Sequence, residues 1–425
     1  MLNETSIAKV AKSTFSSSFC KPLYGSYCFS RIPATVEHLL TGKKLSTLPK
    51  DCFVMEDKPY DMVVLFLIDA FGWTFFEKNL DKYPFLSRFV KEGIASKITS
   101  QFPSTTAAHV TTIHSGEEVG QTGIYEWFYY EPKVDRMIAP LLFSLAGDKV
   151  VGSLEKTGIT PKEIFPTKTI YQKLKKQKID SYILQQESIV NSHYSRTLGL
   201  GAHPLSYQRF EDGLKTVAEA ANSRTTGPSY FLVYFPDIDS KGHRNGVDSK
   251  EFEAAIEHCM MALETHFFQK IKNPSKKIAY LVTADHGMVT VNPKTTIYLN
   301  KEIPSLAKTI KQNRKGQMLV PAGSCRDFFM HIQNDKLTDV QNLLSKHLEG
   351  KAECYKTKDL IDAGLFGSKP VSDLFLERVG NLVVLPYENE GVWWYEKGRF
   401  EQHFYAAHGG LTRKEMESLF LFNTL

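Results

Sequence analysis

Three short apolar runs constrain this chain more than any other feature of its sequence. Met62-Val63-Val64-Leu65-Phe66-Leu67-Ile68 is apolar at every position, as a strand buried on both faces of a parallel sheet must be. It stops at Asp69-Ala70-Phe71-Gly72. The run 229–235 has the same character and stops at Pro236-Asp237-Ile238-Asp239, and the run 278–283 stops just before Asp285-His286-Gly287. Helical periodicity lies between them, clearest over 250–269, where Phe252, Ile256, Cys259, Met260 and Leu263 recur on one face. Strands alternating with helices predict an α/β fold with a largely parallel sheet.

Composition narrows the class of molecule. With 425 residues, 42% of them hydrophobic and 23% charged, the chain can bury a core and is not a disordered or low-complexity protein. Its formal charge of +5 is slight for this length. That suits an anionic substrate but not a nucleic-acid-binding domain, so none is expected. The six cysteines, Cys20, Cys28, Cys52, Cys259, Cys325 and Cys354, form no C-x-x-C pair and are expected to be reduced and buried. Residues 1–18 are polar and lack the apolar stretch of a secretory signal, and no run approaches the ~20 apolar residues of a membrane helix. A cytoplasmic location is the default expectation, with export by an unrecognised signal left open.

The region 295–400 reads differently from the rest. Residues 327–332 and 381–385 suggest strands and 337–348 an amphipathic helix, as in a small α+β cap inserted into the core. The expected division is a core over 1–294, a cap over 295–400, and a return to the core over 401–425. Thr412-Arg413-Lys414-Glu415 fits a T-x-x-E capping box, predicting a last helix from there.

Ligands of α/β sheets bind beyond the carboxyl ends of the strands. One acidic strand end is ordinary turn chemistry. Three of them, two with a nearby histidine, suggest a metal site built at one edge. The candidate ligands are Asp69, Asp239, His243, Asp285, His286 and His408, the mixed carboxylate and imidazole set that zinc-type ions take. Three of the histidines adjoin glycine, which is expected to let the backbone approach an ion or ligand. A further segment, Phe102-Pro103-Ser104-Thr105-Thr106 before an apolar-periodic stretch, marks a helix N-terminus. Ser104 or Thr105 can be a simple cap there. The functional reading is that the same amides hold an anion beside a threonine nucleophile, though the segment taken alone favours the cap.

These motifs together resemble the alkaline phosphatase superfamily, and within it the type I phosphodiesterase/nucleotide pyrophosphatase branch. Asp69 matches the metal-binding aspartate that ends the family's first strand. Thr106 stands three residues after Pro103 and ten before Gly116, as the family's nucleophile does; Thr105 meets neither count and is the fallback. Asp239 keeps the family's four-residue spacing to His243, leaving Asp237 as a neighbour, while Asp285-His286-Gly287-Met288 and Ala407-His408-Gly409-Gly410 complete the set. The resemblance implies a three-layer α/β/α alkaline phosphatase-like core and two divalent metal ions, zinc or alternatively manganese. Asp69, Thr106, Asp285 and His286 would hold one ion, and Asp239, His243 and His408 the other. It further implies a phosphothreonine intermediate on Thr106.

There are departures. The branch has a phosphate-contacting asparagine after the nucleophile helix, where this chain has Gly123-Ile124-Tyr125-Glu126-Trp127. Tyr125 and Trp127 are candidates to stack on a substrate ring, and Arg326 to meet an anionic group from the cap. Cys20-Lys21-Pro22-Leu23-Tyr24 lacks the arginine of a sulfatase motif, which disfavours that activity. His109 and His114 are expected to be structural. The expected activity is hydrolysis of a small phosphate diester or nucleotide-like diphosphate. A phosphomonoesterase or phosphonate hydrolase on the same core is the alternative. A non-catalytic binding protein is disfavoured because all seven positions carry competent residues. Oligomeric state is not legible.

Overall fold

In the computed structural model, which describes residues 1–55, 57–223, 227–272, 274 and 276–425, the three apolar runs are adjacent strands. A seven-stranded sheet is made of β1 (Met62–Ile68), β2 (Ile94–Thr99), β3 (Asp180–Gln186), β4 (His203–Tyr207), β5 (Ser229–Phe235), β6 (Ile278–Thr283) and β7 (Glu417–Thr424), in the spatial order β2-β7-β6-β1-β5-β3-β4. β1 is paired in parallel with β5 and β6, Leu67 standing opposite both Tyr234 and Thr283. The runs are apolar throughout because both faces are covered. Val63, Leu65 and Leu67 face the helices Ile32–Thr41, Ile170–Lys175 and α1 (Thr106–Ser115). Met62, Val64, Phe66 and Ile68 face Pro84–Lys91, Phe210–Asn222 and Lys250–Ala262. The result is the three-layer α/β/α arrangement. A register slip of one residue would move Asp69 ~3.3 Å from its neighbours, so this packing also positions the site.

The C-terminus departs from expectation. The Thr412–Glu415 capping box forms, but it starts only the single turn Arg413–Met416. The chain then enters β7, antiparallel to both β2 and β6, and buries seven of its eight residues. A capping box is a local signal; the open strand edges that claim Leu419 to Phe422 are distant in sequence, and the tertiary pairing prevails.

A second, antiparallel sheet joins Ala322–Ser324, Asp327–Met330, Leu382–Pro386 and Ala352–Lys356 in that spatial order. One face, Phe328, Met330, Leu382 and Val384, packs on Val340 and Leu344 of the helix Leu337–His347. The other, with Phe329, Val383 and Leu385, merges with the central core. The hairpin Tyr129–Glu131/Arg136–Ala139 is tied to this body through buried Arg378, which bonds Glu131 and the carbonyls of Gly123 and Ile164. All six cysteines are free and buried. Among the described residues no helix is long and apolar enough to cross a membrane.

Arg326 corrects the sequence reading. It is fully buried rather than poised above a ligand. Its guanidinium forks onto Glu415 at 2.9 and 3.0 Å and donates to the carbonyls of Pro386, Tyr387 and Glu390. It thereby joins the second sheet to the C-terminal return. Breaking a buried pair by removing one partner costs about 3–5 kcal/mol. We therefore expect Arg326→Met to lower unfolding stability by about that amount in a denaturant titration. The KM of the remaining folded protein should be unchanged; a raised KM at unchanged stability would restore a ligand-binding role.

Candidate active site

The sheet edge brings the predicted residues together. Asp69 leaves β1 with its amide bonded to the Phe235 carbonyl of β5. Ala70 follows at φ 62°, a left-handed turn costing about 1 kcal/mol that points its amide at Asp285 Oδ1, 3.1 Å away. Asp239 and His243 lie four apart on one face of α2 (Asp237–Asn245). Asp237 turns elsewhere and accepts from Gln186. Two groups of ligand atoms result, each clustered within 4.8 Å: Asp69, Asp285 and His286, fully buried, and Asp239, His243 and His408, which open toward a cavity. The rings of His286 and His408 stack at 3.7 Å between them and join the groups into one site.

The three histidines are oriented alike. His243 Nδ1 bonds the Ala406 carbonyl at 2.8 Å, His286 Nδ1 the Gly287 carbonyl at 3.0 Å, and His408 Nδ1 the Ser104 carbonyl at 3.1 Å. A carbonyl only accepts, so each Nδ1 carries the hydrogen and each Nε2 can offer its lone pair to the site. Their Nε2 atoms face carboxylates: His243 to Asp239 at 3.3 Å, His408 to Asp239 at 3.6 Å, His286 to Asp285 at 3.4 Å and to Asp69 at 3.5 Å.

Electrostatics show three carboxylates whose ionic partners are histidines. Burial, then the neighbouring Asp285 and Asp239 carboxylates, pushes Asp69 well above the ordinary carboxylate range. Asp239 is held below that range, because His243 and then His408 outweigh its burial. Burial and His286 keep His408 well below an ordinary histidine, as a neutral imidazole. Asp239 Oδ1 and Asp285 Oδ2 are buried at the centres of their groups without any hydrogen-bond partner. Unpartnered carboxylate oxygens facing imidazole lone pairs are the donor set a divalent cation takes, so the residues fit two such ions.

Thr106 opens α1 with its hydroxyl turned inward, 3.1 Å from His286 Nε2 and 3.4 Å from Asp69 Oδ1. Thr105, the N-cap, is buried and lies against Glu126 instead. It makes no side-chain capping bond, and Ser104 is occupied with Gly410, so no side chain caps α1. His109 and His114 are structural. His109 Nε2 accepts from the Gln101 amide and its Nδ1 donates to Thr105 O, while His114 meets the Tyr171 hydroxyl; burial lowers both to about 4.

A cavity of about 430 Å³ opens from Thr106 and the Asp239 group, walled by Trp127, Phe128, Trp393, Phe400 and Phe404. Trp127 is 36% exposed there. Tyr125 is not on the wall: it is fully buried, stacked on Tyr129 and edged by Phe329 and Phe375, so its predicted ligand contact is replaced by packing. The glycines beside the histidines also differ from expectation. They admit protein rather than a ligand: a Cβ on Gly287 would lie 2.0 Å from Lys414 O, and one on Gly409, at φ 125°, 2.6 Å from Ser324 Oγ. Two contributors escaped sequence reasoning, Tyr234, whose hydroxyl donates to Asp69, and Ser104, whose backbone orients His408. No sequence signal marked Tyr234; Ser104 was visible only as a possible cap.

Solved structures share this architecture. Murine ectonucleotide pyrophosphatase/phosphodiesterase 5 aligns with a TM-score of 0.59 and 17% identity, over 85% of this chain and 87% of its own. An inactive variant of that murine protein, in complex with AMP, aligns equally well, with a TM-score of 0.59 and 17% identity over 86% of this chain and 88% of its own. Phosphonoacetate hydrolase from Sinorhizobium meliloti 1021, in complex with phosphonoacetate, aligns with a TM-score of 0.59 and 14% identity, over 87% and 92%. No curated protein sequence matches the chain. The family profile described as type I phosphodiesterase/nucleotide pyrophosphatase matches residues 63–411, which includes every candidate ligand and Thr106. The chain therefore belongs to that family, in the alkaline phosphatase superfamily, and is a hydrolase of phosphoric ester or diphosphate bonds.

Proposed function

We propose that the protein is a phosphodiesterase or nucleotide pyrophosphatase that works through Thr106 and two divalent ions, zinc or manganese. The observation that carries this reading is the placement of the Thr106 hydroxyl at the head of an uncapped helix, against His286 and Asp69 and beside the Asp239 group. Asp69, Asp285, His286 and Thr106 would hold one ion, and Asp239, His243 and His408 the other. Bound ions of this type lower the pKa of a coordinated hydroxyl or water and neutralise phosphoryl charge.

The chain's own residues define the rest. Thr106 Oγ1 bonds to phosphorus as the bond to the leaving oxygen breaks, and its proton passes to solvent. The leaving group departs as an alkoxide or phosphate and takes a proton from solvent, giving a phosphothreonine. Water then cleaves the new P–O bond and restores the hydroxyl. The amides in the first turn of α1, which no side chain caps, would oppose the developing negative charge. The aromatic wall favours a substrate with an apolar or planar group on the phosphorus besides the leaving oxygen, as a nucleotide diester or diphosphate has. The equally good alignment of a phosphonate hydrolase supports a second reading, a monoester or phosphonate substrate on the same core.

Thr106→Ala should lower turnover at least about a thousand-fold. Metal content by elemental analysis should stay near two ions per chain. Wild-type turnover in this variant would show that the nucleophile lies elsewhere, Thr105 being the next to replace. A nitrophenyl ester of a nucleotide should be cleaved faster than nitrophenyl phosphate; equal or faster turnover of the monoester would favour the second reading. Dialysis against a chelator should abolish turnover and lower the melting temperature, and added Zn²⁺ or Mn²⁺ should restore both.

A further inference from the structure

Glu126 stands on the cavity wall without the partners that a buried carboxylate needs. It has no exposed surface, yet it lines the same cavity as Thr106 and the Asp239 group. One oxygen, Oε2, accepts from the Trp127 amide. The other, Oε1, has no partner at all. Glycine at 409 leaves room for it, since a Cβ there would approach Oε1 to 3.2 Å. A second buried carboxyl stands beside it, since the same Cβ would approach Asp327 Oδ1 to 2.8 Å. Asp327 Oδ1 accepts from the amide and hydroxyl of Ser324, and Asp327 Oδ2 is likewise unpartnered.

Apart from the proposed ions, the protein's own groups facing Glu126 do not supply a full counter-charge. Thr105 at the start of α1 offers a hydroxyl, Asp327 on the second sheet a further carboxyl, and His243 on α2 a ring that pairs with Asp239. Arg326 is committed to Glu415. Arg244 and Arg399 reach the cavity wall, but neither pairs with Glu126, and Arg399 is engaged by Glu396. An ionised Glu126 would face Asp327 on one side and an incoming phosphate on the other. A protonated one faces both without repulsion and has a hydrogen to give.

We propose that Glu126 is held as a carboxylic acid and donates a hydrogen bond from Oε1 to a non-bridging oxygen of the bound phosphoryl group. This rests on the placement of that group at Thr106. Burial, opposed by the Trp127 amide, the Thr105 hydroxyl and His243, raises the Glu126 pKa to about 7. The proton is therefore present below about 7 and lost above it. A buried neutral carboxyl acting as a donor near neutral pH has precedent in enzyme chemistry. The residue would then contribute to transition-state stabilisation rather than to metal binding.

The test compares Glu126→Gln, which keeps a neutral donor, with Glu126→Ala, which keeps none, in the metal-loaded enzyme. With the best phosphate ester, Glu126→Ala should lose about 100-fold in kcat/KM and Glu126→Gln should stay within about tenfold of wild type. The wild-type kcat/KM should fall toward high pH as the Glu126 proton is lost, and the Gln variant should lose that limb. Infrared difference spectra of wild type against Glu126→Gln should show a protonated-carboxyl band at about pH 6 that fades by about pH 8. Absence of the band, or a Gln variant as impaired as the Ala variant, would overturn the proposal, the latter by showing that Glu126 acts as a carboxylate. If Thr106→Ala retained full turnover, the nucleophile assignment would fall. The infrared band and the contrast between Gln and Ala would still decide the state of Glu126.

Discussion

The structure depends on how three carboxylates are tolerated where β6, β1 and β5 end. Asp69, Asp239 and Asp285 are brought together there, and among the described residues no lysine or arginine pairs with any of them; their ionic partners are histidines. Each buried ion costs several kcal/mol unless it is paired, and like charges add to that cost. Protonation can relieve one carboxylate, and the raised Asp69 shows the fold pressing in that direction. Divalent cations relieve all three at once. The carbonyl anchors on the three Nδ1 atoms are then explained, because they turn each Nε2 inward, the orientation that a cation needs.

The same constraint explains the close packing around the edge. Gly72 and Gly287 come so near that a Cβ on Gly72 would lie 2.6 Å from the Gly287 Cα, which brings the turns after β1 and β6 together. The turn after β6 is also fastened from β2's side, where the Ser100 hydroxyl donates to the Asp285 carbonyl at 2.6 Å. The ligand groups therefore sit on strand ends and a helix, and none depends on a long mobile loop for its position. Arg326 and Glu415 fasten the second sheet to the C-terminal return with a buried charge pair.

Much of this was legible because the strongest signals are local. An apolar run ending in Asp is read within ten residues, and the i,i+4 spacing of Asp239 and His243 survives as one helix face. The family motifs added order to these fragments, and their residues converge in space. What was not legible depends on partners distant in sequence. Arg326 resembled a surface cation until Glu415, 89 residues on, was seen to neutralise it. Tyr125 resembled a stacking platform because the aromatic cluster of Phe329 and Phe375 that buries it comes from the second sheet. The C-terminal segment carried a true helix start, and only the edges of β2 and β6 turned its Leu-Phe-Leu-Phe stretch into a strand. The glycines beside the histidines were singled out for a ligand's approach, but the steric demand on Gly287 and Gly409 comes from Lys414 and Ser324, which are distant from them in sequence.

Thr106, the proposed nucleophile, and the second candidate ligand group are not positioned independently. The Ser104 amide donates to Gly409 O, its hydroxyl to Gly410 O, and its carbonyl accepts from His408 Nδ1. Two residues further on, the chain places the Thr106 hydroxyl. One backbone register thus fixes both the Thr106 hydroxyl and the His408 imidazole. Any shift of the C-terminal return would move His408 and strain the start of α1 together. For an in-line displacement, where attacking and leaving oxygens must stay on opposite sides of phosphorus, this coupling serves better than two separately supported halves. It also gives the antiparallel β7 a functional reason: by locking the C-terminus into the central sheet, it anchors the segment that carries His408 within the frame that holds Asp69 and Asp285.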